Sequence, residues 1–341
     1  MKRWNGRKGL VAVLCLGLVL MVVLLAACGG EEATTTTGAA APVKLRVIIS
    51  SPAVYPFYEV YVAKSMGFFE KRNLDVEILE VDGAEATTTA FASGQGEIMQ
   101  GDLGTLNPKA LTAMGEAHPI MFYMFMTSIF TVAVPDESPI KSAEELGGKV
   151  VSVNSEQDPG MSLIKTIELK YGIKITPLIV NEAAQALAAF DRGDAVAYAS
   201  SLTGVARIEA AGKKMRTIIP QEMVDASGGF GYWATRQTMD KNPEAMKAYV
   251  AGLQEARAYI ADDAQKLVDW ANSQTPIPAE ELAFRKALSA AVISIRPPFK
   301  PVGSIPDDKW QLWWDTLVAN KTIDPSIGKP TDFYTNEFNP K

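Results

Sequence analysis

The sequence is short of the residues on which much enzyme chemistry depends. Its 341 residues include one histidine, His118, and two cysteines, Cys15 and Cys28. Nothing beyond residue 28 can therefore form a disulfide or a cysteine metal site. No His/Cys cluster can hold a transition metal, and no thiol can pair with His118 as a nucleophile. Positive charge is also scarce, with 33 Lys and Arg against 39 Asp and Glu, a formal charge of −6. Nucleic acid is excluded as a partner, because its phosphates require a positive footprint. Long hydrophobic runs are absent except for one, Leu10 to Leu25. No other stretch reaches the roughly 18–20 residues that span a bilayer.

What remains for catalysis is thin. His118 sits in Ala117-His118-Pro119 at the start of an apolar strand, where a turn or core-edge role is expected. Glu156 and Asp158 are close enough to work as an acid–base pair, but two solvated loop carboxylates are the plainer expectation. No catalytic residue, cofactor or metal is expected.

The one long apolar run has a context. Lys2, Arg3, Arg7 and Lys8 precede it, and no charged side chain occurs from Gly9 to Gly30. That is the layout of a secretory signal peptide. A spanning helix is the competing reading, and Leu25-Ala26-Ala27-Cys28 decides against it. This segment resembles a bacterial lipobox, which implies cleavage before Cys28 and a lipid on its thiol. Residues 1–27 are then the signal peptide. The mature chain of 314 residues is exported and lipid-anchored to the cell membrane, facing the periplasm or outside. Losing four basic residues takes its formal charge to −10. Residues 28–42, with four consecutive threonines from Thr34, read as a flexible linker that holds little for a core.

From Val43 onward strands and helices alternate, which predicts an α/β protein with mainly parallel sheets covered by helices. Strands are expected at Lys44–Ser50, Asp75–Glu80, Ile98–Gln100 and Ile120–Met126. Helices are expected at Tyr58–Met66, Ala84–Ser93 and Leu106–Met114. The pattern then repeats: strands Lys149–Val153, Thr176–Val180, Ala195–Ala199 and Met215–Ile219, with helices Met161–Tyr171, Ala183–Arg192 and Thr203–Ala211 between them. Ala90-Phe91-Ala92-Ser93-Gly94 and Ala189-Phe190-Asp191-Arg192-Gly193 echo one another, each a helix end before a strand. A strand Phe230–Thr235 follows, then helices Pro243–Ile260, Asp262–Ser273, Ala279–Ile293 and Pro306–Ala319. The Met121–Met126 run reads as a buried strand. Trp310, Trp313 and Trp314, at helical spacing, read as core.

This order implies two lobes. The first takes residues 43–134, the second 135–228, and 229–341 return to the first and add the C-terminal helices. The chain then crosses between lobes near Val134 and near Phe230, and two crossings over a cleft make a hinge.

Several short motifs carry a family resemblance. Gly67-Phe68-Phe69-Glu70 followed by Leu74-Asp75-Val76-Glu77 resembles a signature of periplasmic solute-binding proteins for nitrate, taurine, alkanesulfonates and thiamine-pyrimidine precursors. Phe91 to Gly94 with Glu97-Ile98, Glu145 to Val150, Ala188 to Ala195 and Asn242-Pro243-Glu244 are similar to further motifs of that family, in order. The resemblance runs from about residue 44 to 275. It implies a type II periplasmic-binding-protein fold, two α/β lobes joined by two crossing segments around a cleft. It also implies an ABC permease and its ATPase as partners, and a monomer is expected. Asn73 and Glu97 depart from the usual glycine and aspartate, and neither lies at the expected cleft. The cysteine-rich patch of the superfamily's pyrimidine-forming enzymes is absent.

In open parallel sheets ligands sit beyond the carboxyl ends of the strands, where helix N-termini point outward. Those ends hold Ser50, Ser51, Gln100, Asp102, Asn154, Ser155, Ser200 and Ser201. All could meet a ligand, or merely cap turns and helices. Ser162 and Thr203 start second-lobe helices. Tyr55 and Tyr58 follow the first strand, and Tyr232 lies on a crossing segment; they could wall a cleft or pack elsewhere. No arginine stands at a strand end, though helix N-termini can hold anions without one. The expected ligand is a small organic anion of the sulfonate, taurine or nitrate type. Asp102 keeps a nitrogen heterocycle, such as a thiamine pyrimidine precursor, as the alternative. An enzyme acting on such a compound is the rival class.

Overall fold

The structure, a computed structural model, describes residues 41–50, 55–102, 114–156, 158–219, 223, 229–319 and 323–340. Cys28, Ser51 and all but the last residue of the expected helix Leu106–Met114 lie outside these. Residues 41–341 form one compact unit.

Two five-stranded sheets organise that unit. The first runs β2 (Leu74–Val81), β1 (Val43–Ser50), β3 (Ile98–Asp102), β10 (Gly229–Thr235), β4 (Pro119–Thr127). The second runs β7 (Thr176–Ile179), β6 (Val150–Val153), β8 (Ala197–Ser201), β5 (Phe130–Pro135), β9 (Met215–Thr217). Each has three parallel strands, then an antiparallel strand that arrives from the other half of the chain. β5 already belongs to the second sheet, so the chain leaves the first at Ser128–Ile129, a few residues before the expected Val134. Phe130-Thr131-Val132-Ala133-Val134-Pro135 follows β4 without a Gly or Pro break, which hides the change of sheet in the sequence.

Helices cover the sheets where the sequence punctuates them. The helices of the two echoed motifs, α1 (Gly83–Ala92) and α2 (Ala183–Arg192), both end before a left-handed glycine, Gly94 at φ 73° and Gly193 at φ 76°. That is the conformation glycine adopts without strain. Asn242-Pro243 starts α3 (Pro243–Ile260) with proline in the first turn, where its missing N–H costs nothing. Its inner face stacks Tyr249 on Phe69, ring centroids 5.0 Å apart and 5° from parallel.

The tryptophans lie where their spacing predicts. Trp310, Trp313 and Trp314 of α4 (Asp307–Ala319) are buried against Ile48, Met99 and Trp233 of the first sheet. At about 25 cal/mol per Å2, each indole contributes roughly 4–6 kcal/mol before entropy. The last helix is thus part of the first core. β4 is an edge strand, and the C-terminal segment covers it. Met121 N donates to Phe333 O at 2.9 Å, Thr335 N to Met121 O at 2.8 Å, and Met124 N to Gly303 O at 2.9 Å. An edge closed in this way cannot recruit foreign strands. His118 serves the same strap, its ring nitrogens 3.2 Å from Gly115 O and 2.9 Å from Asp332 O.

Among the described residues, no helix is long and apolar enough to cross a membrane, and no group of three His, Cys, Asp or Glu could hold a metal.

Candidate functional site

The carboxyl ends of the second sheet's strands carry a bonded polar network. Asn154 follows β6, and its Oδ1 accepts from the Tyr198 hydroxyl at 2.5 Å. Its Nδ2 donates to Asp158 Oδ2 at 3.1 Å and to Ser200 Oγ at 3.2 Å. Asp158 caps the helix α5 (Pro159–Tyr171), its Oδ1 accepting from Gly160 N at 2.7 Å. Burial pushes the Tyr198 phenol above its ordinary value, opposed by its hydrogen bonds to Ser200 and Asn154. Both amide hydrogens of Asn154 are committed in this way, while its Oδ1 keeps one acceptor position for a further donor.

Two glycines bring helices into direct contact with β8. A Cβ on Gly160 would stand 2.5 Å from Ala199 O, and one on Gly204 2.5 Å from Ser200 Oγ. At Gly160 the obstacle is backbone, which only glycine clears; at Gly204 it is the side chains of Ser200 and Tyr198. Ser201 ends β8 and caps the next helix, α6 (Leu202–Ala210), accepting from Gly204 N at 3.4 Å. Thr203 is half-buried in that helix's first turn, and Ser155 is half-buried beside Asn154. Ser162, in contrast, is exposed on α5: the helix starts at Pro159, two residues before the expected Met161.

The first sheet offers a smaller polar end. Gln100 is buried, and its Oε1 accepts both from Ser50 N at 3.2 Å and from Ser50 Oγ at 2.9 Å. Asp102 closes β3, half-buried and paired in register with Phe230. Gln100 stands opposite Tyr232 across the β3–β10 pair, yet Tyr232 is wholly buried among Tyr123, Phe125 and Tyr249.

Tyr55 and Tyr58 are also buried, each under an arginine that sequence reasoning did not connect to it. Arg285 lies 5.2 Å over the Tyr55 ring and Arg296 4.9 Å over the Tyr58 ring. Both arginines come from the C-terminal part of the chain, more than 200 residues away, and no local pattern signals such a pairing. Arg285 belongs to α7 (Leu282–Ser294), which also meets α6. There Arg207 sits 4.3 Å over the Phe284 ring, and Ala206 enters the first core.

This arrangement can hold a solute, and it has little with which to transform one. Glu156 is exposed, and Asp158 is engaged as cap and anchor. His118 is tied to two carbonyl groups, with its ring 4.7 Å from Phe333. Hydroxyl nucleophiles such as Ser200 and Ser201 bond to Asn154 and to a helix N-terminus, with no base in those contacts.

Comparison with known proteins agrees with this fold. The sequence profile described as NMT1/THI5 like matches residues 56–266, more than half of the chain. No curated protein sequence matches. Among solved structures, the periplasmic aliphatic sulphonate binding protein SsuA from Escherichia coli superposes with TM-score 0.63 at 19% identity, covering 86% of this chain and 92% of that one. The alkanesulfonate-binding protein SsuA from Xanthomonas axonopodis pv. citri, bound to MOPS, gives 0.58 at 18%, covering 87% and 99%. The periplasmic nitrate-binding protein NrtA from Synechocystis PCC 6803 gives 0.57 at 13%, covering 87% of each chain. At these identities the likeness establishes the periplasmic-binding-protein fold.

Proposed function

The chain belongs to the NMT1/THI5-like family, and from that membership we propose that it is the solute-binding component of an ABC importer. It captures a small organic anion and delivers it to a permease and its ATPase. It is not an enzyme. The observation that carries this reading is the bonded network Asn154–Asp158–Tyr198–Ser200 at the carboxyl ends of β6 and β8, with Ser50 and Gln100 at the corresponding end of the first sheet. Polar groups are concentrated where an open sheet meets its ligand, and no acid–base–nucleophile set accompanies them. The neighbours named above bind sulfonates and nitrate, which supports an anion.

A nitrogen heterocycle is the second reading, and Asp158 favours it. Its carboxylate already neutralises the start of α5, so a ligand donor group would be better received there than a second negative charge. The lipid anchor on Cys28, the linker to residue 42, the monomeric state and closure about a hinge belong to the same proposal.

A thermal-shift screen of sulfonates, nitrate, carboxylates and pyrimidines tests it. A ligand at 100 times its Kd stabilises the native state by roughly 2.7 kcal/mol, which is on the order of several degrees in Tm for a chain this long. The compound is expected back unchanged. Asn154→Ala, Ser201→Ala or Asp102→Ala should each weaken the shift. If none of the three does, ligand does not bind at the strand ends.

A further inference from the structure

Buried groups with unmet hydrogen bonds gather in one region, around the start of the helix Tyr58–Ser65 and the end of α7. Arg296 is the centre. Its side chain is only 6% exposed. Nη1 faces outward, donating to Ala261 O and lying 3.4 Å from the exposed Asp262. The opposite edge of the guanidinium, Nε with Nη2, is buried and has no hydrogen-bond partner. That edge is the fork with which arginine grips an anion. Arg257 stands alongside: Nη2 donates to Pro297 O at 2.9 Å, while Nη1 is buried without a hydrogen bond.

The natural counter-group is Glu59, and it is largely spoken for. Its Oε2 accepts from Tyr123 at 2.7 Å and its Oε1 from Tyr58 at 3.4 Å, with Arg257 Nη1 no nearer than 3.8 Å. The buried hydroxyls of Tyr232 and Tyr249 are unpartnered too. Each hydroxyl can accept as well as donate, but the unmet nitrogens Arg296 Nε and Nη2 and Arg257 Nη1 only donate, so the surplus is of donors. Water answers such an imbalance poorly, because each water that accepts brings two further protons needing acceptors. A halide accepts several donors and offers none. Leaving buried guanidinium edges unmatched is costly, so the imbalance itself selects an anion.

We propose that the Nε–Nη2 edge of Arg296 and Nη1 of Arg257 bind a halide-sized inorganic anion inside the first half of the fold. Its two arginines are not among the strand-end residues such as Asn154 and Gln100. Desolvation of Glu59, which holds its carboxyl above the ordinary range, weakens the buried negative charge that would compete with the anion, while Asp262 engages only the outer Nη1.

The experiment uses the full mature protein with bromide and chloride as probes. Crystals soaked in sodium bromide should show an anomalous peak within hydrogen-bond reach of Arg296 Nε and Nη2. At fixed ionic strength, replacing bulky gluconate by chloride should raise Tm, by about 3 °C per tenfold increase in chloride above Kd. Arg296→Met should abolish that dependence; if this variant does not fold, the bromide crystal of the unaltered protein decides alone. A water instead of bromide at the fork overturns the proposal, as does bromide found only near Asn154 or Gln100. Equal Tm in chloride and gluconate also overturns it.

Discussion

Tyr123 and Glu59, 64 positions apart, share a hydrogen bond of 2.7 Å inside the first core, the phenol donating to Oε2. The pair ties the edge strand β4 to the first turn of the helix that follows β1. Burial raises the Glu59 carboxyl above its ordinary value, while Arg257, the Tyr123 phenol and Arg296 pull the other way. The folded state therefore holds a proton at Glu59 that the unfolded state releases first. The stability this gives is fully present below the ordinary carboxylate range. It is lost as pH rises through the raised folded value. Glu59→Gln, which keeps an acceptor for Tyr123 and never ionises, should remove this term. Denaturant unfolding of both proteins at pH 4 and pH 8 checks it: the unaltered protein should lose stability relative to the Gln variant as pH rises. Parallel profiles would show that Glu59 ionises as freely in the fold as out of it.

Gly160→Ala places a methyl carbon 2.5 Å from Ala199 O, a backbone atom that cannot step aside. The helix α5 must shift off β8, carrying Asp158 and its bonds to Gly160 and Asn154 with it. The expected cost is about 1–3 kcal/mol of stability, together with weaker ligand affinity. Calorimetry with and without ligand separates the two effects. A variant with unchanged Tm and Kd would mean that this helix start is not packed on the strand.

Cys28→Ser should abolish acylation and release the protein from the membrane, while a chain beginning at Val43 folds as a soluble monomer. Fractionation and mass spectrometry of both proteins measure this. Retention of a fully processed Ser variant in the membrane would remove the lipid anchor from the account.

Closure on ligand is the expectation from the two places where the chain changes sheet, Ser128–Ile129 and between β9 and β10. Among the described residues, α7 also meets α6 across the halves, around Phe284 and Arg207. Ligand saturation should reduce the radius of gyration without changing mass in small-angle scattering. Superimposable curves would count against a hinge.

Much of the fold was legible because it is locally punctuated. The helices Ala183–Arg192 and Pro243–Ile260 were delimited by Gly193, Asn242 and Pro243. Among the described strands and α-helices, two escaped. β5 follows β4 with only Ser128 and Ile129 between them, so one long apolar stretch concealed two strands in different sheets. The short helix α8 (Arg236–Lys241) has too little apolar periodicity to be seen, although Thr235 caps it by accepting from Thr238 N at 3.1 Å. Of the candidate site, the placement of its polar residues at strand ends was legible from topology alone. Their mutual bonds were not, because Asn154 and Ser200 meet only once β6 and β8 pair. The sequence also could not tell that Tyr58 and Tyr232 turn into the core, which depends on arginines and rings contributed from elsewhere in the chain.

The central claim is that this protein carries a solute and leaves it unchanged. Native mass spectrometry of protein purified from its own cells tests this most directly. The account predicts one small molecule bound per chain, released intact on denaturation and absent or much reduced in an Asn154→Ala preparation. Time-dependent conversion of the added compound by the purified protein would contradict it.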